Sequence, residues 1–153
     1  MLRFDPADMT WWQKPLVQWD GRLLPAELVV LQTELGEGEQ GVWINSRGTK
    51  TGVSDLIPVR DDPLRDFKTH RIAIPLFVAA SLNGLYSAAG VSKGCPDLVI
   101  WHEGRGEVRL VEVKCPHWDS VTPEQEAFMR AAESQNVPVS VVEWEFSREP
   151  RPR

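Results

Sequence analysis

The chain has 153 residues, 42% hydrophobic and 25% charged, with a formal net charge of −5. That length can bury a core without covalent staples, the acidic balance argues against gripping nucleic acid by bulk electrostatics, and two cysteines are too few for a disulfide framework. No leader is evident at the N-terminus, and the longest apolar run, residues 72–80, is too short for a membrane span and contains Pro75; a cytoplasmic protein with reduced thiols and no membrane partner is expected.

Residues 1–24, rich in Pro, Asp and Trp without a clean period, read as an irregular extension wrapping the domain. Residues 25–38 predict a helix. Pro25 suits its first turn, Leu28, Leu31 and Leu35 fall at helical spacing, and Gly36 is a stop. Residues 41–46 are strand-like. From 47 to 71 the chain is polar and broken by Pro58 and Pro63, which predicts a long surface excursion. It holds six bases (Arg47, Lys50, Arg60, Arg65, Lys68 and Arg71) against four acids, whereas residues 1–40 hold seven acids against three bases. A basic face and a solvated loop of mixed charge both fit that reversal.

A second helix is predicted over 74–90, closed by Gly90. Two apolar runs, 98–101 and 108–113, flank the turn His102–Gly106 and read as an antiparallel hairpin. Residues 122–136 carry the clearest helix signal, with Thr122 as cap, Pro123 at the first position and Gln125 placed for a capping box. Residues 137–146 close the domain as a β-branched strand of the buried type, and 147–153 are a frayed tail. A hairpin followed by a helical crossover implies a mixed β-sheet flanked by helices, an α/β fold.

Alternation along the second hairpin strand puts Val108, Leu110, Glu112 and Lys114 on one face and Arg109, Val111 and Val113 on the other. Asp97 opens the partner strand, so the hairpin returns Glu112 and Lys114 to its end. Two converging carboxylates raise each other's pKa unless a cation intervenes, and a hard ion such as Mg²⁺ takes oxygen ligands, to which the Val113 carbonyl could add. A neighbouring lysine could orient water or neutralise phosphate charge, a set suited to phosphodiester hydrolysis. Spacing alone leaves a second reading open: an ordinary same-face charge pair on a half-exposed strand, with Asp97 a turn residue after Pro96.

The stretch "GCPDLVIW", followed by "VEVKCPHWDSVTPEQEAF", resembles the VRR-NUC family of the PD-(D/E)XK nuclease superfamily. The motif elements are Gly94, Pro96–Asp97, Glu112–Val113–Lys114, Asp119, and Thr122 to Gln125. The resemblance implies a restriction-endonuclease-like core over about 25–146. It implies that Asp97 and Glu112 bind Mg²⁺ or Mn²⁺, that Lys114 is the catalytic lysine, and that Gln125 lines the site beside its capping role. It also implies a metal-reaching glutamate on the first helix, for which Glu27 fits the distance better than Glu34. DNA is the implied partner, branched DNA and four-way junctions by analogy with stand-alone relatives. Arg47, Lys50, Lys68, Arg71 and Lys93 are candidate strand contacts, and a homodimer would supply two sites. The alternative is a catalytically inactive module on the same fold that binds nucleic acid or protein.

Cys95, Cys115 and His117 flank the proposed site, but no C-x-x-C pair exists and buried thiols are the expected role. His70 and His102 stand alone in the sequence.

Overall fold

Hydrogen bonding gathers the strands of this chain into one mixed sheet, and the computed structural model describes residues 1–11, 14–45, 50–58, 67–116 and 119–149. Arg47, His117, the segment 59–66 and the last four residues of the tail lie outside the described residues. In chain order the elements are β1 (Leu2–Trp11), β2 (Lys14–Trp19), β3 (Arg22–Pro25), α1 (Ala26–Glu34), β4 (Gln40–Trp43), β5 (Thr51–Pro58) and β6 (Phe67–Ala73). They continue with α2 (Leu76–Ala89), β7 (Leu98–His102), a single 3-10 turn (Glu103–Arg105), β8 (Glu107–Lys114), α3 (Pro123–Ser134) and β9 (Val139–Phe146). The sheet order is β3-β2-β1-β9-β8-β7-β4-β5-β6. As expected, β7 and β8 form an antiparallel hairpin and α3 returns the chain so that β9 runs parallel to β8. Among the described residues, no helix is long and apolar enough to cross a membrane.

Three expectations need correction. Residues 1–24 are not irregular: β1 pairs in parallel with β9, and β2 and β3 follow as an antiparallel meander. The turn between β2 and β3 is Asp20–Gly21, with φ of 48° and 73°, the positive pair that lets a two-residue hairpin follow strand twist. Much of the 47–71 excursion is also a ladder, running from Thr51↔Ala73 to Pro58↔Phe67; Pro58 sits at the strand terminus, where a missing N–H costs little. Finally, β9 lies inside the sheet, but a groove beside α3 leaves Val141 54% exposed. The helices fall where the sequence put them. α2 closes on Gly90 at φ 68°, although α1 ends at an extended Leu35 rather than through a left-handed Gly36.

The sheet curls. On one side it wraps α1, whose Ala26, Leu28, Val29, Val30 and Leu31 are all buried against Val17, Leu24, Leu98, Ile100, Val111 and Val113 among others. A helix buried on nearly every side loses its polar stripe, which explains the weak amphipathic pattern here. Arg22 of β3 reaches across to β5, donating to Asp55 Oδ1 at 2.5 Å and Leu56 O at 3.0 Å. On the other side α2 and α3 pack through Val78, Leu82, Leu85, Phe128 and Ala132 onto Val99, Trp101 and Leu110.

Arg109 of β8 fastens the end of α1. It donates from Nε and Nη2 to the two Glu39 carboxylate oxygens, each at 2.9 Å, and from Nη2 to the otherwise orphaned Glu34 carbonyl at 2.7 Å. The Arg109 guanidinium lowers the Glu39 carboxyl from its ordinary 4.5 to about 2 against the opposing pull of burial. A depressed carboxylate stabilises the fold above its unfolded pKa, and that contribution fades as pH falls from about 4.5 toward 2. Glu39→Gln is therefore expected to lower the melting temperature by about 3 °C at pH 7, with the gap closing across that acid window in thermal melts. A gap that stays constant down to pH 2 contradicts this role.

Candidate active site

Antiparallel register decides which side chains meet. Leu98 faces Val111 across the hairpin, so Asp97, one residue earlier, stands opposite Glu112 on the same face of the sheet. Two backbone links hold Asp97 there: its carbonyl accepts from the Ile44 amide at 2.9 Å, and its Oδ2 accepts from the Val113 amide at 2.9 Å. The approach to it depends on Gly94, at φ 110°, which passes directly over the first turn of α3. A Cβ there would lie 2.6 Å from both the carbonyl carbon and the oxygen of Glu124, which explains the glycine in the motif.

Glu112 is 3% exposed and the one buried charged side chain among the described residues. Its Oε1 lies 3.4 Å from Lys114 Nζ and accepts from Gln125 Nε2 at 3.2 Å. Lys114 Nζ also donates to the Ser120 carbonyl at 3.2 Å and to Gln125 Oε1 at 3.4 Å. Gln125 meanwhile completes the capping box, its Oε1 taking the Thr122 amide at 3.0 Å while its own amide donates to Thr122 Oγ1 at 3.2 Å. One side chain thus caps α3 and contacts both members of the acid–lysine pair.

The connection from β8 to α3 is stapled by Asp119, whose Oδ2 accepts from the Cys115 amide at 2.9 Å and whose amide donates to the Cys115 carbonyl at 2.9 Å. That staple sets the Ser120 carbonyl beside Lys114. The sequence pattern picked out Asp119 without a role; the Ser120 contact is made by a backbone atom and leaves no residue-type signal.

These groups border a cleft of about 220 Å³ lined by Glu27, Asp97, Glu112, Lys114, Asp119 and Gln125, with Ala26, Val113, Ser120, Thr122 and Trp144 completing the wall. Glu27, in the first turn of α1, is brought to the cleft. Glu34 is not: its carboxylate lies 3.5 Å from Arg109 Nη1 toward the other end of the helix. Lys50, Lys68, Arg71 and Lys93 are exposed and do not line the cleft.

Burial raises the Asp97 carboxyl well above the usual range, and the Glu112 charge raises it further against the stabilising Val113 amide. Burial also raises Glu112, opposed by Lys114. The pair resists double ionisation unless positive charge is supplied. Among the described residues, no three His, Cys, Asp or Glu side chains gather tightly enough to hold an ion by themselves. Waters and a backbone carbonyl would have to complete a shell, as a magnesium-type ion prefers. Cys95 and Cys115 are both free and buried; burial and the nearby Asp97 and Glu112 charges push the Cys95 thiol upward, away from reactivity.

A family model described as the VRR-NUC domain matches residues 68–144, half of the chain. No curated protein matches significantly. Among solved structures, one titled as paFAN1 bound to DNA with a two-nucleotide 5′ flap and a gap is 25% identical, with a TM-score of 0.38. That alignment covers 46% of this chain and 14% of the other, so it spans a small part of that protein's length.

Gly94→Ala is expected to push the first turn of α3 away from the acid pair and cost about 1–3 kcal/mol. Faster amide exchange at residues 123–126 and a lowered melting temperature are the readouts; unchanged exchange and melting contradict the close approach.

Proposed function

Because this chain belongs to the VRR-NUC family, we propose that it is a metal-dependent nuclease that hydrolyses phosphodiester bonds in DNA, with Mg²⁺ or Mn²⁺ as cofactor. The observation that carries the reading is the placement of Asp97 and Glu112 opposite each other on one sheet face, with a lysine ammonium 3.4 Å from Glu112. The donor set fits a hard divalent ion: Asp97, Glu112 and the Val113 carbonyl would hold it, with Glu27 reaching in from α1, and all offer oxygen. When bound, such an ion supplies positive charge against the phosphate and acidifies water beside it.

The chain's own residues do the rest. Gln125 fixes the Glu112 carboxylate, so the acid does not have to be reoriented when substrate arrives. Lys114, held by the Ser120 carbonyl and Gln125, offers its ammonium to negative charge developing on the phosphate and orients the attacking water. The N-terminal amides of α3 add a positive dipole end to the same cleft. Lys93, just before Gly94 on the loop into Asp97, is a contact for the cleaved strand. A domain this small covers little DNA, so the proposal extends to a homodimer acting on branched duplexes, with two free thiols in keeping with a cytoplasmic location.

Two measurements test the reading. Incubated with labelled flap, four-way, duplex and single-stranded DNA in Mg²⁺ or Mn²⁺, the wild type is expected to cleave, and Lys114→Ala to cut about 10²–10⁴-fold more slowly. Products formed equally by both proteins remove Lys114 from the mechanism, and no products alongside intact DNA binding favour the inactive module. In EDTA, Asp97→Asn relieves the carboxylate repulsion and is expected to melt about 2–4 °C above wild type. Added Mn²⁺ then raises the wild-type melting temperature and leaves the variant where it was; an equal rise in both contradicts ion binding by Asp97.

A further inference from the structure

The Lys114 side chain is largely enclosed, 12% exposed, and its ammonium carries three N–H donors. Three acceptors surround it: Ser120 O at 3.2 Å, Gln125 Oε1 at 3.4 Å and Glu112 Oε1 at 3.4 Å. Two of them are shared. Glu112 Oε1 also accepts from Gln125 Nε2, and Gln125 Oε1 also accepts from the Thr122 amide at 3.0 Å. On the nuclease reading, a divalent ion would compete with the ammonium for the Glu112 carboxylate. The Ser120 carbonyl is the shortest of the three contacts and a neutral one, so it holds the lysine in the cleft without neutralising the acid.

Burial is not what positions that carbonyl, because Asp119 and Ser120 are both exposed. A pair of hydrogen bonds one residue away does so. Asp119 Oδ2 accepts from the Cys115 amide and the Asp119 amide donates to the Cys115 carbonyl, each at 2.9 Å. Cys115 is 2% exposed and directly follows Lys114, so both bonds are anchored in the core at the end of β8. The contacts close a ring. It runs from the Lys114 backbone to Cys115, across the staple to Asp119, on to Ser120, and through the Ser120 carbonyl back to the Lys114 ammonium. Two residues beyond Ser120, the Thr122 amide is held by Gln125, which fixes the other side of the same turn.

Resting on the nuclease reading above, we propose that Asp119 is a positioning residue for catalysis: its paired bonds to Cys115 place the Ser120 carbonyl that aims the Lys114 ammonium at the phosphate. In that role Asp119 acts as a hydrogen-bond acceptor of fixed reach, and its charge is incidental. Without the staple the carbonyl drifts, and the ammonium falls back on Glu112, the acid that the ion requires. A displacement of about 1 Å at a catalytic group can cost about 10²-fold in rate. The competing explanation is purely structural: the staple keeps the β8–α3 connection folded, and its loss harms every function of the site alike.

Two variants separate reach from charge. Asp119→Asn keeps an oxygen for the Cys115 amide and loses the charge; Asp119→Glu keeps the charge and displaces the oxygen by one methylene. The first readout needs no activity: the NMR signal of the Lys114 ammonium in the isotope-labelled full chain, identified by its disappearance in Lys114→Ala. A held ammonium, slow to exchange with water, is expected in the wild type and Asp119→Asn, and its signal is expected to be lost in Asp119→Glu and Asp119→Ala. The second readout is single-turnover cleavage of a labelled flap DNA in Mn²⁺. Asp119→Glu is expected to cut about 10–100-fold more slowly with DNA affinity unchanged, and Asp119→Asn to restore most of that rate. In the Lys114→Ala background Asp119→Glu is expected to add less than about twofold, because a residue acting through the lysine has nothing left to act on.

A wild-type ammonium without a signal of its own overturns the proposal, as does a signal that persists in Asp119→Glu and Asp119→Ala. Equal slowing in both backgrounds overturns it in favour of the structural explanation. Asp119→Asn as slow as Asp119→Glu overturns it in favour of a role for the charge. If the wild type cleaves no DNA while the ammonium signals sort as stated, the nuclease reading fails and the positioning of Lys114 stands; if it cleaves and the signals do not sort, the role of Asp119 alone falls.

Discussion

The Val113 amide donates to Asp97 Oδ2 across the β7–β8 hairpin, and the rest of the site is arranged around that 2.9 Å contact. It holds one acid against the strand that carries the other, at a position where burial opposes the ionised form of both and the Glu112 charge adds to that at Asp97. A fold tolerates such a pair only if the surrounding structure fixes it, and here each neighbour contributes. Ile44 of the connection after β4 holds the Asp97 carbonyl, Gln125 holds Glu112, and Lys114 offsets part of the charge. Strain of this kind costs stability and supplies affinity for a cation.

Placing the third carboxylate is the work of the curled sheet. α1 is buried between the central strands and the β1–β3 meander, with Arg109 closing its far end and β3 running directly into its first turn. Glu27 therefore stands on a helix with little freedom to shift, within the cleft wall. The same curl brings Arg22 to Asp55, and β6 stands at the edge of the sheet.

Period-2 alternation was enough to place Glu112 and Lys114 together, and the hairpin turn was enough to bring Asp97 opposite them. Thr122 and Gln125 announced both the helix start and a side chain at the site. What escaped was chiefly long-range pairing. Residues 1–24 show no clean alternation in the sequence, although Asp20–Gly21 is a recognisable hairpin turn and the segment pairs as β1, β2 and β3. The β5–β6 ladder was hidden in part by Pro58, which stands at a strand end rather than within it. Spacing favoured Glu27 over Glu34 without deciding between two acids on one helix; the cleft wall takes in Glu27, and Glu34 lies beside Arg109. The Ser120 carbonyl is beyond sequence reasoning for a different reason: any residue there would present the same atom.

The central claim is that Asp97 and Glu112 jointly bind a divalent ion, and anomalous diffraction from crystals soaked in Mn²⁺ tests it most directly. The account predicts one manganese peak between the two carboxylates, each supplying an oxygen at about 2.0–2.3 Å. A peak held by other residues, or two carboxylates left unliganded in crystals that bind manganese elsewhere, would contradict it.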